Sequence, residues 1–500
     1  MNGGEKRSKP HMAVVPYVGQ GHLIPFLELT KLLASQGLIV SYITTPGNIA
    51  RLQPQVDQEV KSSNSSVDIR LVSLSMPPVE GLPPGIESTE TVPLQMSGIL
   101  MRSSYKLAGQ FEQWLEMQMK NAEDETQNFP SSLVCVISDM FTSWVHESAA
   151  KFGIPTVVFH TSGAFRFSVQ HSLLRHTTHK NVQGDDHEYF QIPNLSFDFK
   201  LRNSDLPFDL RDPETNPIQS FVAEEINCSM EGSGLIFNTF CELEPLGIDH
   251  FRSLTKRPVW SIGPLLPKKI FDAEGVERGT GDGRGKVADI SEAECLQWLD
   301  RRSPNSVVFV CFGSFLGLEA SQQAFIWAIK RLPEVELPEG FEERTIDRGL
   351  VIWGWAPQLL ILSHPSTGAF LSHCGWNSTL ESISLGVPMI TWPMFAEQPF
   401  NSKLLVEQMG FAEQIGSHID DVVDEHVVKR AVIKLLAEEG GKTLRMRAQE
   451  LRNKAKMAVE KGGTSHVNLY EFVQYVRELH DKWIAACQSN QLRGIMNSMS

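Results

Sequence analysis

The chain of 500 residues is longer than one hydrophobic core usually supports, and its 41% hydrophobic and 21% charged residues exclude wholesale disorder or a fibrous repeat. A net charge of -14 argues against a nucleic acid as the main partner, because a phosphate backbone needs a clustered basic surface. The polar start of the chain and the lack of a run of about 20 apolar residues predict a cytoplasmic protein without a membrane-spanning segment. Seven cysteines without CxxC spacing predict reduced thiols rather than disulfides or metal ligands.

The first half of the chain alternates strand-like and helical segments. A strand at 12–16 precedes a glycine-rich turn and a helix at 23–35, which Gly37 ends. Apolar runs rich in β-branched residues predict further strands at 38–44, 69–74, 133–138, 156–160 and 235–238. This alternation predicts a parallel sheet covered by helices, with residues 1–255 as the first domain.

The second half repeats the pattern after an interruption. Residues 265–291 are rich in glycine and charge, which predicts a linker or a long surface loop. Strands are then predicted at 307–312, 324–329, 350–353, 368–372 and 388–391, and they indicate a second α/β domain over 256–470. Amphipathic helices follow at 427–486. The helix from 471 is expected to pack back on the first domain, and the tail from 488 to 500 is expected to fray.

Two such domains bring the carboxyl ends of their strands to a shared cleft, where open α/β sheets bind ligands. In the segment 355–398, the strand at 368–372 leads directly into a helix, whose N-terminus offers free N–H groups and a positive dipole end to a phosphate. Four residues there can donate hydrogen bonds or permit a close approach of the backbone: His373, Gly375, Asn377 and Ser378. An ordinary capped helix is the alternative interpretation, since such residues also satisfy a helix's own amides.

Other side chains of this segment suit the remaining parts of a sugar nucleotide. Glu381 is one turn further along the helix and can accept both hydroxyls of a ribose, although a solvated surface glutamate is the commoner use. Trp355 opens a proline-bounded loop, where an indole can stack on a base while Gln358 contacts the base edge; a core tryptophan is the alternative. Glu397 and Gln398 follow the next strand and can bind sugar hydroxyls.

The first half contains the candidates for the chemistry. His22 stands in the turn between the first strand and the first helix, and histidine is the side chain that most often serves as a general base at neutral pH. Asp139 follows the strand at 133–138, where it can fix the ring tautomer and stabilise the imidazolium. The plainer alternatives are an unremarkable first-turn residue for His22 and the N-cap of a helix at 140–151 for Asp139.

With these residues the chain resembles the plant secondary-product UDP-glycosyltransferases, an inverting family with the GT-B fold of two facing Rossmann-like α/β domains with parallel sheets. The resemblance covers the whole 355–398 segment. It extends through shorter motifs along most of the chain: Gln20-Gly21-His22, Asn238-Thr239-Phe240, Trp260-Ser261-Ile262-Gly263-Pro264, Phe312-Gly313-Ser314 and Gly462-Gly463-Thr464-Ser465.

The resemblance implies a UDP-sugar donor, with UDP-glucose expected, and assigns each part of it to separate residues. The resemblance implies that Trp355 and Gln358 bind the base and that Glu381 binds the ribose. The residues implied for the phosphates are Ser314, His373, Asn377 and Ser378. Those implied for the sugar are Thr161, Glu397 and Gln398, with Trp376 alongside, and Ala356 and Gly375 belong to the same donor site.

The resemblance also implies that His22 and Asp139 form a catalytic dyad. A single displacement would then give an inverted, β-linked O-glycoside of a small metabolite such as a phenolic, flavonoid or terpenoid. The UDP-sugar and this acceptor are the only partners expected. The chain has no Asp-x-Asp triplet, so no catalytic metal is expected, and the helix dipole and its donors must stabilise the leaving diphosphate.

One departure from the family pattern lies in the second domain. After Ser314 the crossover to the next strand is about three helical turns shorter than in the family, and only 313–323 remain where about a dozen residues or more are usual. The shortening predicts local distortion, exposed apolar surface or a misplaced Ser314, together with lower stability. It leaves open a second function, a catalytically impaired UDP-sugar-binding protein. A third, a nicotinamide-dependent oxidoreductase, lacks a convincing glycine fingerprint at Gly19-Gln20-Gly21.

Overall fold

The structure is a computed structural model that describes residues 9–63, 67–89, 92, 96–123, 133–179, 188–195, 199–211, 218–271, 288–312, 316–329, 336–418 and 421–498. This part of the chain folds into two parallel sheets, each covered by helices. They are the two Rossmann-like units predicted from the sequence. The division of the chain near residue 255 stays a prediction.

The first half contains nine strands and nine α-helices among the described residues. The strands are β1 (His11–Val15), β2 (Ile39–Thr44), β3 (Asp68–Ser73), β4 (Leu133–Asp139), β5 (Thr156–His160), β6 (Phe190–Gln191), β7 (Lys200–Leu201), β8 (Leu235–Phe237) and β9 (Val259–Ser261). The helices are α1 (Gln20–Ser35), α2 (Pro46–Ser62), α3 (Ser97–Ser103), α4 (Ala108–Glu123), α5 (Trp144–Ala150), α6 (Ala164–His176), α7 (Phe208–Arg211), α8 (Ile218–Ser229) and α9 (Pro245–Thr255).

The second half adds six strands and nine α-helices within the described ranges. The strands are β10 (Val307–Val310), β11 (Ala324–Ile329), β12 (Gly349–Trp353), β13 (Thr367–Ser372), β14 (Met389–Thr391) and β15 (Ala412–Gln414). The helices are α10 (Glu292–Leu299), α11 (Leu316–Ser321), α12 (Phe341–Thr345), α13 (Gln358–Ser363), α14 (Trp376–Leu385), α15 (Gln398–Lys403), α16 (Glu425–Ala437), α17 (Glu439–Val459) and α18 (Thr464–Ser498).

The strand orders place a ligand-binding crevice in each sheet. The first sheet runs β3-β2-β1-β4-β5-β8-β9, and the second runs β12-β11-β10-β13-β14-β15. In each, the first strand of the unit lies in the middle, so the connections diverge on either side of it: β1 pairs with β2 and β4, and β10 pairs with β11 and β13, all in parallel. Such a switch point opens a crevice at the carboxyl ends of the strands.

Both sheets are buried on their two faces, which explains why the strands read as unbroken apolar runs. Every residue of β1, β2, β4 and β5 is buried, as expected for parallel sheets flanked by helices. The largest apolar cluster joins the two halves, with members such as Phe165, Leu206 and Phe240 from the first and Phe309, Phe370 and Phe400 from the second. The halves therefore share one continuous core at their junction.

The last helix returns to the first half. The Phe472 ring contacts Trp260 of β9 with ring centroids 5.0 Å apart. The Asn468 side-chain oxygen accepts a hydrogen bond from the Ser261 N–H at 3.1 Å. No helix within the described ranges is both long enough and apolar enough to cross a bilayer.

Several boundaries predicted from the sequence were wrong. Helix α1 begins at Gln20, so His22 lies in its first turn and not in a loop before it. Helix α5 begins at Trp144 instead of 140, with Ser143 at its N-cap position. Helix α18 continues to Ser498, beyond the helical end predicted at 486, and fraying of the tail stays a prediction.

The predicted linker is packed at its start. Leu265 and Ile270 are both 5% exposed and belong to the apolar clusters. Residues 288–291 are again described and pair with the Trp355 loop, as shown below. The intervening residues 272–287 lie outside the described part of the chain.

The shortened crossover leaves the second sheet continuous. Strand β10 pairs with β11 over four residues, and the six-residue α11 lies between them in the chain. Helix α11 packs closely on α16 because Gly317 has no side chain. A Cβ at this position would lie 2.3 Å from the Cβ of Val428. The predicted distortion is therefore absent from the pairing of these two strands. Ser314 lies outside the described residues, and lower stability stays a prediction.

Candidate active site

His22 and Asp139 meet at the carboxyl edge of the first sheet. Their strands β1 and β4 are neighbours, with Val15 opposite Ser138, so the residues that follow come together. The distance between His22 Nδ1 and Asp139 Oδ2 is 2.7 Å. The side chain of His22 is 19% exposed and that of Asp139 is fully buried. Because Nδ1 faces the carboxylate, Nε2 is the nitrogen available to a substrate.

The backbone of the following turn fixes the Asp139 carboxylate. Its second oxygen, Oδ1, accepts a hydrogen bond from the Phe141 N–H at 3.0 Å. The Asp139 N–H donates to the Thr142 hydroxyl at 3.0 Å. Asp139 is thus the last residue of β4 and does not cap α5. Each carboxylate oxygen has its own partner, which suits the orienting role that an aspartate plays beside a catalytic histidine.

Thr161 joins this pair from the neighbouring strand. It follows β5 directly, and its hydroxyl lies 3.3 Å from His22 Nδ1. Thr161 is 6% exposed. The structure therefore brings His22 together with two sequence-predicted residues that lie more than a hundred positions further along the chain.

Two aromatic rings that the sequence analysis did not single out flank His22. The ring centroids of Tyr17 and Phe141 lie 5.3 Å and 5.4 Å from that of the imidazole. The two flanking rings are 5.8 Å apart from one another. Burial, with a contribution from the Asp139 charge, raises the pKa of Tyr17 above its ordinary value, so its hydroxyl stays neutral. Tyr17 and Phe141 could have been recognised in the sequence by their positions just after β1 and β4.

The N-terminus of α14 has the geometry of an anion site. Gly375 occupies the N-cap position, and no side chain caps the helix. The first-turn N–H groups are therefore left for a ligand, and the alternative of a self-capped helix is wrong. A Cβ on Gly375 would lie 2.6 Å from His373 Nε2, so only glycine fits beside that ring. Burial lowers the pKa of His373 against the opposing effect of Glu397, which keeps the imidazole neutral.

Cys374 is held in a strained conformation just before this terminus. Its φ of 67° lies in the left-handed region, which non-glycine residues seldom adopt. The Cys374 carbonyl accepts a hydrogen bond from the Asn401 side chain at 2.9 Å, and Cys374 itself is fully buried. Surrounding contacts thus impose the turn that aims the α14 amides, as is common at functional sites.

Asn377 connects this terminus to the loop that carries His22. Its side-chain N–H donates to the Gly21 carbonyl at 3.0 Å. That carbonyl is available because residue 25, which would normally donate to it within α1, is a proline without an N–H. The anion site and the imidazole therefore lie in the same crevice, although they belong to opposite halves.

Trp376 also connects the two halves close to this contact between Asn377 and Gly21. Its indole N–H donates to the Asn238 carbonyl at 2.7 Å, and the side chain is 3% exposed. A Cβ on Gly163 would lie 2.8 Å from the Trp376 ring, so glycine is needed there. The resemblance places Trp376 alongside the sugar, and in this arrangement only its ring surface remains for such a contact.

Gln358, Ser378 and Glu381 form a polar cluster further along α14. The Gln358 amide donates to Glu381 Oε2 at 2.6 Å and to the Ser378 hydroxyl at 3.1 Å. Glu381 is 7% exposed, which excludes the solvated surface glutamate considered from the sequence. Three residues expected at the base, phosphate and ribose are thus brought together by hydrogen bonds to one another.

Asp289 holds the loop that carries Trp355. Its carboxylate accepts a hydrogen bond from the Trp355 N–H at 2.7 Å, and its own N–H donates to the Trp355 carbonyl at 2.9 Å. Gly354 has a φ of 122°, and a Cβ there would lie 2.0 Å from the carboxylate. Trp355 remains partly exposed, unlike a core tryptophan, whereas Ala356 is 7% exposed. Nothing in the sequence distinguished Asp289 from its glycine-rich surroundings.

Glu397 and Gln398 stand at the start of α15. The Gln398 side-chain oxygen accepts hydrogen bonds from the Met394 and Phe395 N–H groups at 2.9 Å and 3.1 Å. Its amide nitrogen is therefore the group left to donate to a sugar. Glu397 is partly exposed at the N-cap position of the helix.

Comparisons with known proteins agree with this architecture. The family model described as UDP-glucoronosyl and UDP-glucosyl transferase matches residues 286–451. The scopoletin glucosyltransferase of Nicotiana tabacum is 37% identical over 480 residues, covering 92% of this chain and 96% of that protein. The anthocyanin 3'-O-beta-glucosyltransferase of Gentiana triflora is 36% identical over 487 residues, covering 92% and 96%. The chain belongs to the plant secondary-product UDP-glycosyltransferase family.

Solved structures give the same result. UGT73P12 of Glycyrrhiza uralensis, complexed with glycyrrhetinic acid 3-O-monoglucuronide, superposes with a TM-score of 0.82 at 28% identity, covering 97% of this chain and 99% of that one. UGT2 of Phytolacca americana, complexed with UDP-2fluoro-glucose and pterostilbene, superposes with a TM-score of 0.72 at 27% identity, covering 94% and 100%. The protein is therefore a UDP-glycosyltransferase of the GT-B fold with a UDP-sugar as donor, which confirms the prediction from the sequence.

Proposed function

We propose that the protein transfers glucose from UDP-glucose to a hydroxyl of a small plant secondary metabolite, with inversion at the anomeric carbon. The single observation that carries this proposal is the hydrogen bond from Asn377 to the Gly21 carbonyl. It joins an uncapped helix N-terminus, suited to a diphosphate, to the residue next to His22. A leaving group and a general base can then act on one substrate complex.

His22 acts as the general base in this mechanism. Its Nε2 takes the proton of the acceptor hydroxyl while Asp139 holds Nδ1 and stabilises the imidazolium. The acceptor oxygen attacks the anomeric carbon from the face opposite the diphosphate, and the bond between that carbon and the phosphate oxygen breaks. Attack from the opposite face converts an α-linked donor into a β-linked product.

The diphosphate leaves against the N-terminus of α14. The free N–H groups and the positive end of the helix dipole stabilise the charge that develops on the leaving oxygen. His373 lies next to Gly375 and can donate as a neutral imidazole. The nucleoside end is assigned to Trp355, Gln358 and Glu381, whose cluster lies further along the same helix.

Glucose is the sugar that the relatives favour. The two curated relatives named above are glucosyltransferases by name, and the Phytolacca enzyme was crystallised with a fluorinated UDP-glucose. Glu397 and Gln398 stand at the start of α15, next to the strained turn at Cys374 that Asn401 of the same helix holds. These side chains are our candidates for binding the glucose hydroxyls.

An apolar and ring-bearing acceptor fits the surroundings of His22. Tyr17 packs with Val18, Leu100, Met101 and Phe221 in one buried cluster, and Met76, Leu82, Ile86 and Phe141 contact its edge. Tyr17 and Phe141 touch the imidazole directly. A phenolic, flavonoid or terpenoid hydroxyl would be guided to the base by contacts with such rings. The names of the relatives, which refer to scopoletin and anthocyanin, support the same class.

A mass-spectrometric screen tests the proposal. The purified protein is incubated with UDP-glucose and a panel of plant phenolics and terpenoids, and products heavier by one hexose are sought. Proton NMR of the product then gives the anomeric configuration. Parallel reactions with UDP-galactose and UDP-glucuronate test the sugar. Products with an α linkage would contradict the proposed inversion. A clear preference for another sugar would contradict the proposed glucose donor.

A further inference from the structure

A buried ion pair joins the two halves close to the proposed sugar site. Lys403, the last residue of α15, is 4% exposed. Its ammonium lies 2.9 Å from Asp205 Oδ2, and the side chain of Asp205 is 10% exposed. Asp205 ends a short 3-10 turn in the first half, far from Lys403 in sequence. Nothing in the proposed mechanism uses this pair.

Aromatic rings of the first half lie close to the Lys403 ammonium. We use the term arm for residues 188–195 and 199–211 of the first half. The ammonium of Lys403 lies 5.7 Å from the Tyr189 ring centroid and 5.9 Å from that of Phe199, both of which belong to the arm. Each ring adds a cation–π contact to the ion pair. Glu407, one turn after the lysine, accepts a further contact at 2.8 Å but is 48% exposed.

The arm orients Asp205 independently of the lysine. The Arg202 N–H donates to Asp205 Oδ2 at 2.8 Å. The Arg202 guanidinium lies over the Tyr189 ring at 5.0 Å. Nearby, His418 of the second half hydrogen-bonds the Ser204 carbonyl of the arm. The carboxylate therefore has a fixed direction, and it can define where the ammonium must lie.

Helix α15 transmits this position to the sugar site. It runs from Gln398 to Lys403 and continues without a break into a π-helical turn at Leu404–Gln408. Between Gln398 and Lys403, Asn401 bonds the Cys374 carbonyl in the turn before α14. The buried ion pair at Lys403 limits rotation and sliding of the helix that also carries Gln398.

We propose that Lys403 is a positioning residue for the donor sugar. Its pair with Asp205 holds α15 against the arm, and thereby sets the direction in which Glu397 and Gln398 point at the glucose. This inference rests on the proposed role of these two residues in glucose binding. It assigns no role to Lys403 in holding UDP, because the candidates for the nucleoside lie on α13, α14 and the Trp355 loop.

Binding measurements separate this role from general destabilisation. We compare Lys403→Met, Asp205→Asn and the double variant by calorimetric titration with UDP and with UDP-glucose. Each single variant is expected to lose about tenfold in affinity for UDP-glucose, as couplings between contacting residues allow. Affinity for UDP stays within about twofold. The double variant should be no weaker than either single variant, because both remove the same interaction.

Two further variants complete the test. Lys403→Arg keeps the charge and should restore most of the UDP-glucose affinity. Lys434→Met controls for the loss of a lysine ion pair: its partner Glu413, 2.6 Å away, lies within the second half, and the two side chains are 37% and 33% exposed, more than those of Lys403 and Asp205. It should change neither affinity.

Equal losses for UDP and UDP-glucose, or no loss for either, would overturn the proposal. So would losses that multiply in the double variant. Because these titrations need no turnover, they are independent of whether the acceptor screen yields a product. A failure of the proposed transfer reaction is therefore distinguishable from a failure of the positioning role.

Discussion

The proposed catalytic pair and the donor segment differ in how their side chains are hydrogen-bonded. His22 and Asp139 already have the arrangement that proton transfer needs, with each carboxylate oxygen bonded to a separate partner. In the donor segment, Gln358 bonds Glu381, and Gln398 bonds its own loop. We therefore expect the proposed base to be preorganised and the proposed donor groups to exchange partners when a UDP-sugar binds.

This difference predicts where substitutions act. Changes at the catalytic pair should appear mainly in kcat, because the pair is used only when charge moves in the transition state. Changes in the donor segment should appear mainly in KM, because its hydrogen bonds are exchanged on binding.

Replacement of His22 by alanine should give the largest loss. We expect kcat to fall by about a thousandfold, within the usual contribution of a general base, because no other side chain bonded to Asp139 can take the proton. Affinity for UDP should stay unchanged. Steady-state kinetics and calorimetry check the two parts, with His426→Ala, an exposed histidine in α16, as the control. A variant that keeps its kcat would remove His22 from the mechanism.

Asp139→Asn should have a smaller but still large effect. An amide cannot stabilise the imidazolium and permits the wrong ring tautomer, so we expect kcat to fall by about a hundredfold or more. The double variant with His22→Ala should be no slower than His22→Ala alone, because the two residues act as a unit. Multiplicative losses would show that Asp139 acts apart from the imidazole.

Glu381→Gln tests the donor half of the comparison. The substitution removes a buried carboxylate that accepts from Gln358 and is assigned to the ribose. Hydrogen bonds to charged groups contribute enough for KM of UDP-glucose to rise about tenfold, while kcat should change less than about threefold. Glu439→Gln at an exposed position of α17 serves as the control. A fall in kcat with unchanged KM would contradict the assignment.

Glu244 should make stability depend on pH. Burial raises its pKa to about 7, although the Ala164 and Phe165 N–H groups favour its charged form. The folded state therefore binds a proton that the unfolded state releases near 4.5, and this group's stabilising contribution is lost as pH rises from about 4.5 to 7. The loss amounts to about 3 kcal/mol. Urea unfolding across this range should show a flatter pH dependence for Glu244→Gln; an equal slope would refute the shifted pKa.

Much of the site follows from one rule about parallel sheets. Because polar residues just after buried strands share an edge, the sequence predicted that His22 and Asp139 would meet, and the structure brings them together; it also places Thr161, which the resemblance assigns to the sugar, beside His22. The same rule placed a helix N-terminus after β13. The true start of α1 was missed because its first turn contains Gly21, a poor helix former, and that of α5 was missed because Asp139 is itself a residue type common at N-caps.

Contacts between the halves could not be predicted from sequence patterns. The bonds from Trp376 to Asn238 and from Lys403 to Asp205 depend on the relative placement of two units, which no local periodicity encodes. Asp289 was missed for a related reason, since it lies in a segment without apolar pattern. Residues whose role is to connect distant segments thus require coordinates, whereas residues at strand ends do not.

The most direct test of the account is a crystal structure with UDP-2-fluoro-glucose and an acceptor found in the screen. We expect the diphosphate to lie within hydrogen-bonding distance of the N–H groups of Asn377 and Ser378. The acceptor hydroxyl should lie between His22 Nε2 and the anomeric carbon. A diphosphate bound away from α14, or an acceptor whose hydroxyl cannot reach His22, would contradict it.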